Sequence, residues 1–430
     1  MMRRAPPAEQ LCAGFAKVDI TPPHPRGMSL MGMGRVYPGA HGVLDPVWAR
    51  ACYIGTRSDG ALLLVLDTVF PKVLRPHEDE VIAELARRTG LPKARIWILC
   101  THCHSSFGEA FDQTWKGGDH YRIRTLSAYM DYLLSRVIAV GEQAFGKRVP
   151  AEIGYAAAPV SGVGSSRRVR TSDGIVLSAW ANGPCPPPGM RPVGRGPHDP
   201  DVGLIVFRDR RRHRPIGALV NYSSHIHLYP TLNFTAELAG AVVSRLERRH
   251  KGLLAIYTNG AEGTVSLDQF LPPQSPRPED WDSQYRQQLA LLSGRMLRGI
   301  DAAWRTLAFR GRVRLRGGEA KVRMRICDTG GNEVRLEQPL KALAIDDLAL
   351  LGEQEEAWCE LALGIKARSP FPSTFVLGFT GFRNRYFPTA HGIEEGGYES
   401  QILYRDGDGF ERTIAGAVTL LRGLRQETSR

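Results

Sequence analysis

Cysteine is scarce in this chain: seven residues in 430, dispersed and odd in number. They do not read as a disulfide framework. The Met1-Met2-Arg3-Arg4 start leads into Pro6, Pro7, Glu9 and Gln10 rather than an apolar leader. The thiols are therefore expected to be reduced, in a cytoplasmic protein without a signal peptide. No uninterrupted apolar run is long enough to span a bilayer, and neither repeats nor low-complexity tracts occur. Aromatic residues make up only 8%. No basic stretch is interleaved with them as a single-strand binding groove requires, so no nucleic-acid partner is expected. The net charge of +12 comes largely from scattered arginines. The densest run, Arg208-Asp209-Arg210-Arg211-Arg212, sits between two strand-like segments and reads as a solvated hairpin.

What remains is an ordinary globular composition, 43% apolar and 23% charged. Short apolar runs at 61–67, 95–100, 216–222 and 253–257 read as buried strands. The stretches 78–88, 126–145 and 236–249 carry helical periodicity, with Gly90 as a stop signal. This rhythm predicts an α/β core with helices on the sheet faces. Residues 182–200 are rich in Pro and Gly and read as a long loop. Alternating strand character follows at 309–326, a strand at 347–351 and a closing helix at 413–424. No linker divides the chain, so one continuous domain is expected over 14–425, with 1–13 as a short extension.

Polar residues collect where the strands end. RIWILC runs into Thr101-His102-Cys103-His104-Ser105-Ser106, and GALVNY into Ser223-Ser224-His225-Ile226-His227. LLAIY runs into a turn that reaches Ser266, and DDLALL into Gly352-Glu353. Ligands of α/β sheets bind outside the carboxyl ends of the strands. Imidazole and carboxylate donors there suit Zn²⁺ with one position left open. A rival reading uses Cys100-Thr101-His102-Cys103-His104, which matches the C-x-x-C-H pattern of haem attachment and, in part, a redox C-x-x-C. His227, two residues after His225, would face the other way if the strand continued, and reads either as a supporting neighbour of the site residues or as a structural histidine.

Several segments, taken in order, resemble the neutral (non-lysosomal) ceramidase family in its N-terminal catalytic domain. They begin at Gly14-Phe15-Ala16-Lys17-Val18-Asp19-Ile20-Thr21-Pro22 and Gly42-Val43-Leu44-Asp45-Pro46. They continue through Thr101 to Ser105, Ser166-Arg167-Arg168 and Asn221 to His225. Gly263-Thr264-Val265-Ser266, Gly352-Glu353 and Tyr386-Phe387-Pro388-Thr389 with Glu395-Gly396-Gly397-Tyr398-Glu399 complete the series. The resemblance implies a layered α/β domain with mixed sheets flanked by helices. It implies one zinc ion held by His102, His225, Glu353 and Tyr386, with His104, Arg167 and Ser266 at the reacting centre. Cys103 stands where the family has Thr, and Leu267-Asp268 where it usually has Pro-Asn. The C-terminal sandwich domain of the ceramidases proper is not expected here.

The resemblance therefore implies a ceramidase-like, zinc-dependent hydrolase of a linear amide, with a small-molecule N-acyl substrate and a place in sphingolipid metabolism. A metal-activated water is expected to attack the carbonyl. His104 would carry protons, Arg167 steady the oxyanion and Ser266 position substrate. A soluble amide or ester, a metabolite or natural product, on the same metal site is the alternative substrate. A non-catalytic, haem or redox protein built on the CTHCH segment is the remote alternative.

Overall fold

The computed structural model describes residues 7–429 except 29, 31–39, 107–119, 175, 179–190, 229–230, 269–279, 329, 382–384, 401 and 406. Two large sheets organise it. The strands of the first are β1 (Cys12–Asp19), β2 (Trp48–Gly55), β3 (Gly60–Leu66), β4 (Ile96–Cys100), β5 (Val149–Pro159), β6 (Asp201–Asp209), β7 (Pro215–Tyr222) and β8 (Leu254–Asn259). Their spatial order is β8-β7-β6-β5-β1-β2-β3-β4. The end pairs, β7 with β8 and β3 with β4, are parallel; the pairs between them are antiparallel. The second sheet holds β9 (Leu315–Asp328), β10 (Glu333–Ile345), β11 (Leu348–Gly352), β12 (Ser373–Leu377) and β13 (Ile402–Tyr404), in the order β12-β11-β10-β9-β13.

Helices α1 (Glu78–Thr89), α2 (His120–Gly146), α3 (Glu237–Arg249), α4 (Trp281–Arg305), α5 (Cys359–Arg368), α6 (Ala390–Glu395) and α7 (Gly409–Ser429) complete the elements used below. The apolar residues sort into layers. Phe15, Leu63, Trp97, Leu99, Ile205, Leu219 and Ile256 of the first sheet pack on Leu343, Leu350 and Phe375 of the second. Helices α1 and α2 cover the outer face of β1–β4. Helices α3 and α4 cover β5–β8, and α5 and α7 cover the second sheet. The result is helix, sheet, sheet, helix. Each fully buried aliphatic or aromatic side chain contributes roughly 1.5–3 kcal/mol to this packing.

The mixed sheets flanked by helices match the expected fold class. The strands and helices predicted from periodicity are present, although α2 begins at His120 rather than 126 and the strand expected over 309–326 runs from Leu315 to Asp328; Gly90 ends α1 in the left-handed conformation at φ +72°. The long loop is interrupted: Pro192–Arg195 forms a short strand, and 182–190 lies outside the described residues. No helix among the described residues is long and apolar enough to cross a membrane.

One topological detail places the site. β4 and β8 lie at opposite edges of the first sheet, yet the side-chain amide of Asn259, at the end of β8, donates to the Thr101 carbonyl just beyond β4 at 2.8 Å. Strand twist accumulates across the sheet until the two edges meet at their carboxyl ends. The second sheet reaches the same place, where Gly378, just past β12, donates its N–H to the Asn259 carbonyl at 2.9 Å.

Candidate metal centre

The turn after β4 carries His102 in the left-handed conformation, φ +58°. Its Nδ1–H donates to the Val69 carbonyl at 2.8 Å, which leaves the Nε2 lone pair facing inward. The ring stacks on Phe379 at 4.5 Å and 10°, with Phe70 tilted beside it at 5.1 Å.

His225 follows β7 by three residues, and its main-chain N–H is held by the Val265 carbonyl at 3.0 Å. Its Nδ1 faces the carbonyls of Glu262 and Val265, at 3.1 and 3.0 Å. The Glu262 carboxylate also lies against that nitrogen. Its Nε2 points the other way, 3.1 Å from Glu356 Oε1. Gly263 makes this arrangement possible: a Cβ there would come within 2.5 Å of the Glu356 carbonyl oxygen.

Glu356 begins a short strand, Glu356–Ala357, that runs parallel to Tyr386–Phe387 in the register Glu356↔Tyr386. That register sets the carboxylate and the phenol side by side. Ligand atoms of His102, His225, Glu262 and Glu356 all lie within 4.8 Å of one another, as do those of His102, His104 and His225. His104 Nε2 is 3.0 Å from His102 Nε2.

Arg167 closes one side. Its Nε donates to Glu399 at 2.8 Å and its Nη2 to the Gly263 carbonyl at 2.9 Å and the Tyr386 hydroxyl at 2.8 Å. Its Nη1 is 3.3 Å from His225 Nε2. Ser266 sits on a short strand, Val265–Leu267, one residue past the carbonyl that anchors His225. It is 7% exposed, and its Oγ has no hydrogen-bond partner among the described residues.

The structure thus brings His102, His104, His225, Arg167 and Tyr386 together and leaves Glu353 aside. The Glu353 Oε2 accepts from the Glu355 main-chain N–H at 2.8 Å and from Gln338 at 3.4 Å. Glu353 belongs to neither group of converging ligand atoms, whereas Glu356 belongs to one of them. The chain keeps turning after Gly352, so the carboxylate that reaches the histidines comes three residues later. His227 lies beside the cluster. The strand stops at Tyr222, so the two-residue alternation no longer holds, and its ring lies 4.2 Å from that of His104. Sequence reasoning missed Glu262, Glu356 and the role of Glu399. For Glu356 the signal was the density of acids in Gly352-Glu353-Gln354-Glu355-Glu356; Glu262 lay in the turn that reaches Ser266, and Glu399 in the last motif of the series.

Burial and charge divide the cluster. Burial, reinforced by His104 and His225, holds His102 well below the usual imidazole range. Burial pulls His225 the same way, but the Glu262 and Glu356 carboxylates together outweigh it and raise the ring to about 9. Burial opposes ionisation of Glu356 too, yet His225, His102 and Arg167 together bring it below its ordinary value. Burial pushes Tyr386 well up, with Arg167 opposing. Burial alone dominates Glu353, which is raised. The thiols of Cys100 and Cys103 are fully buried, donate to different carbonyls, Val69 and Thr235, and are raised by burial. Neither is placed for haem attachment or thiol exchange, which need an accessible thiolate.

No protein-family model matches the sequence, and neither does any protein of curated function. Solved structures do match. The neutral ceramidase of Pseudomonas aeruginosa aligns over 96% of this chain and 75% of its own, with 16% identity and a TM-score of 0.69. A ceramidase described as complexed with C2 aligns over 97% and 76%, again with 16% identity and a TM-score of 0.69. The layered α/β architecture of this chain is a neutral-ceramidase-like fold.

Proposed function

We propose that this protein is a metal-dependent hydrolase that cleaves the amide bond of an N-acyl compound. The observation that carries the reading is the convergence of His102, His225 and Glu356 within 4.8 Å, at strand ends of a fold shared with neutral ceramidases. The residues fit a zinc-type ion. Two buried imidazoles have Nδ1 engaged by carbonyls, their Nε2 atoms meet a carboxylate oxygen, and the phenol of Tyr386 stands opposite that carboxylate in the strand register. His102, His225, Glu356 and Tyr386 are the proposed ligands. Glu262 orients His225 from behind.

When bound, the ion supplies a Lewis acid and brings the pKa of water to about 7. The chain's own residues supply the rest. His104, half-buried beside His102, accepts at Nε2 a proton of the attacking water and passes it to the amine nitrogen as the C–N bond breaks. Arg167, pinned by Glu399 and the Gly263 carbonyl, keeps its positive charge against burial and faces the carbonyl oxygen as negative charge develops. Ser266 offers a buried hydroxyl with an unused hydrogen bond to hold substrate.

The test is a panel of N-acyl substrates, from ceramides to short acyl amides, assayed with and without chelator beside the His102→Ala variant. Hydrolysis of at least one amide, lost on chelation and in the variant and restored by Zn²⁺ in the parent protein, is expected. Activity that survives both treatments sinks the reading.

A further inference from the structure

The histidine turn is held from the side away from the proposed metal ligands. Residues 103–105 lie against the segment that leads into α3, and four hydrogen bonds join the two. The Cys103 thiol donates to the Thr235 carbonyl at 2.9 Å, and the Thr235 N–H donates to the Ser105 carbonyl at 3.0 Å. The His104 main-chain N–H donates to Glu237 Oε2 at 3.0 Å, and the Ser105 hydroxyl to Glu237 Oε1 at 2.6 Å.

Glu237 is 1% exposed. As the first residue of α3 it would ordinarily face solvent. Its main chain instead adopts φ +51°, which directs the carboxylate into the turn. His102 shares this left-handed conformation. Non-glycine residues persist there only where their surroundings over-determine them, and they cluster at functional sites. The segment before the helix is itself braced: Thr235 Oγ1 donates to Asp45 Oδ2 at 2.6 Å and the Ala236 N–H to Asp45 Oδ1 at 2.9 Å.

We propose that Glu237 is a positioning residue, whose carboxylate holds the main chain of His104 and the hydroxyl of Ser105 so that His102 keeps its left-handed conformation and its Nε2 stays in register with His225 and Glu356. The inference rests on the metal-centre reading given above. It also assigns Cys103 a place, as a buried donor in the same brace. Both carboxylate oxygens accept from donors, so glutamine, of equal size, would turn an N–H₂ group toward one of them.

The experiment titrates metal-depleted protein with Co²⁺ and follows its visible absorption bands, with a thermal melt of each metal-free variant alongside. Glu237→Gln should weaken Co²⁺ binding about 10–100-fold, the usual effect of losing a group that orients a ligand, and should alter the band shape. Glu247→Gln is the control. It lies on the same helix and loses ion pairs to Lys17 and Arg50, so it should lower the melting temperature while leaving affinity and spectrum unchanged. Parental affinity and spectrum in Glu237→Gln would overturn the inference. Failure of the parent itself to bind Co²⁺ would instead overturn the metal-centre reading. If Glu237→Gln does not fold, Ser105→Ala removes one bond to the same carboxylate. It should weaken binding about threefold to tenfold, below that range because other bonds to Glu237 remain, and unchanged binding overturns the inference.

Discussion

The two histidine turns leave the same sheet far apart, one after the edge strand β4 and the other after β7, next to the opposite edge, and arrive at one point, but they are prepared differently. His102 is held by a carbonyl, a stacked Phe379 and a left-handed backbone, and burial keeps it neutral. His225 has ordinary backbone geometry but faces two carboxylates, Glu262 behind and Glu356 in front, which hold a proton on it up to about pH 9. One proposed ligand is thus ready for a metal as it stands. The other must release a proton first. Geometry prepares the first and charge the second.

The largest effect that could break this contrast comes from removing either ring. His102→Ala and His225→Ala should each retain almost no metal by elemental analysis and show almost no hydrolysis; a variant that keeps near-parental metal content would remove that histidine from the ligand set. The next effect is confined to the charged turn. Glu262→Gln should weaken metal binding about 10–100-fold and lower the pH at which affinity stops rising. In the parent, affinity should climb with pH until about 9, because His225 must be neutral to bind. The linkage in metal-free protein has the opposite sign. The His225 pKa is raised above its unfolded value of about 6.5, so its charge stabilises the fold fully below that pH and the contribution fades as pH rises through about 9. Denaturant titrations at pH 6 and pH 9.5 should therefore show a parental loss of stability that is smaller in Glu262→Gln. Equal losses in the two proteins would detach Glu262 from His225.

The smallest effect belongs to the geometric turn. Phe379→Leu removes the ring stacked on His102 and should cost about 0.5–1.5 kcal/mol of stability, with a few-fold loss of metal affinity and no change in its pH dependence. A shifted pH profile in this variant would mean that the two turns are not prepared separately.

The part of the site that was legible in the sequence is the part set by local pattern. An apolar strand that stops abruptly at His102 or at the segment before His225 announces a strand-end site, and the element order implied an α/β fold with helices on the sheet faces. Arg167, beside the serine that pairs with the Ser266 strand, also stood out in the motif series. Glu356 did not. Its position depends on how far the chain turns after Gly352 and on a two-residue parallel ladder with Tyr386, and neither leaves a periodic trace. Glu262 and Glu237 were hidden for a related reason: each acts across more than 30 residues of sequence, through contacts that only the closed sheet creates. Cys103 looked like half of a haem or redox motif because the pattern ignores burial. In the folded chain it is a strut.

Glu356 is the carboxylate of the proposed ligand set, and metal content tests it most directly. Elemental analysis of purified parent, Glu356→Gln and Glu353→Gln should give about one zinc-type ion per chain in the parent, by the ligand count of a mononuclear site. Glu353→Gln should stay near that value and Glu356→Gln should fall strongly below it. A parent without metal, or a loss in Glu353→Gln that Glu356→Gln does not share, would contradict the account.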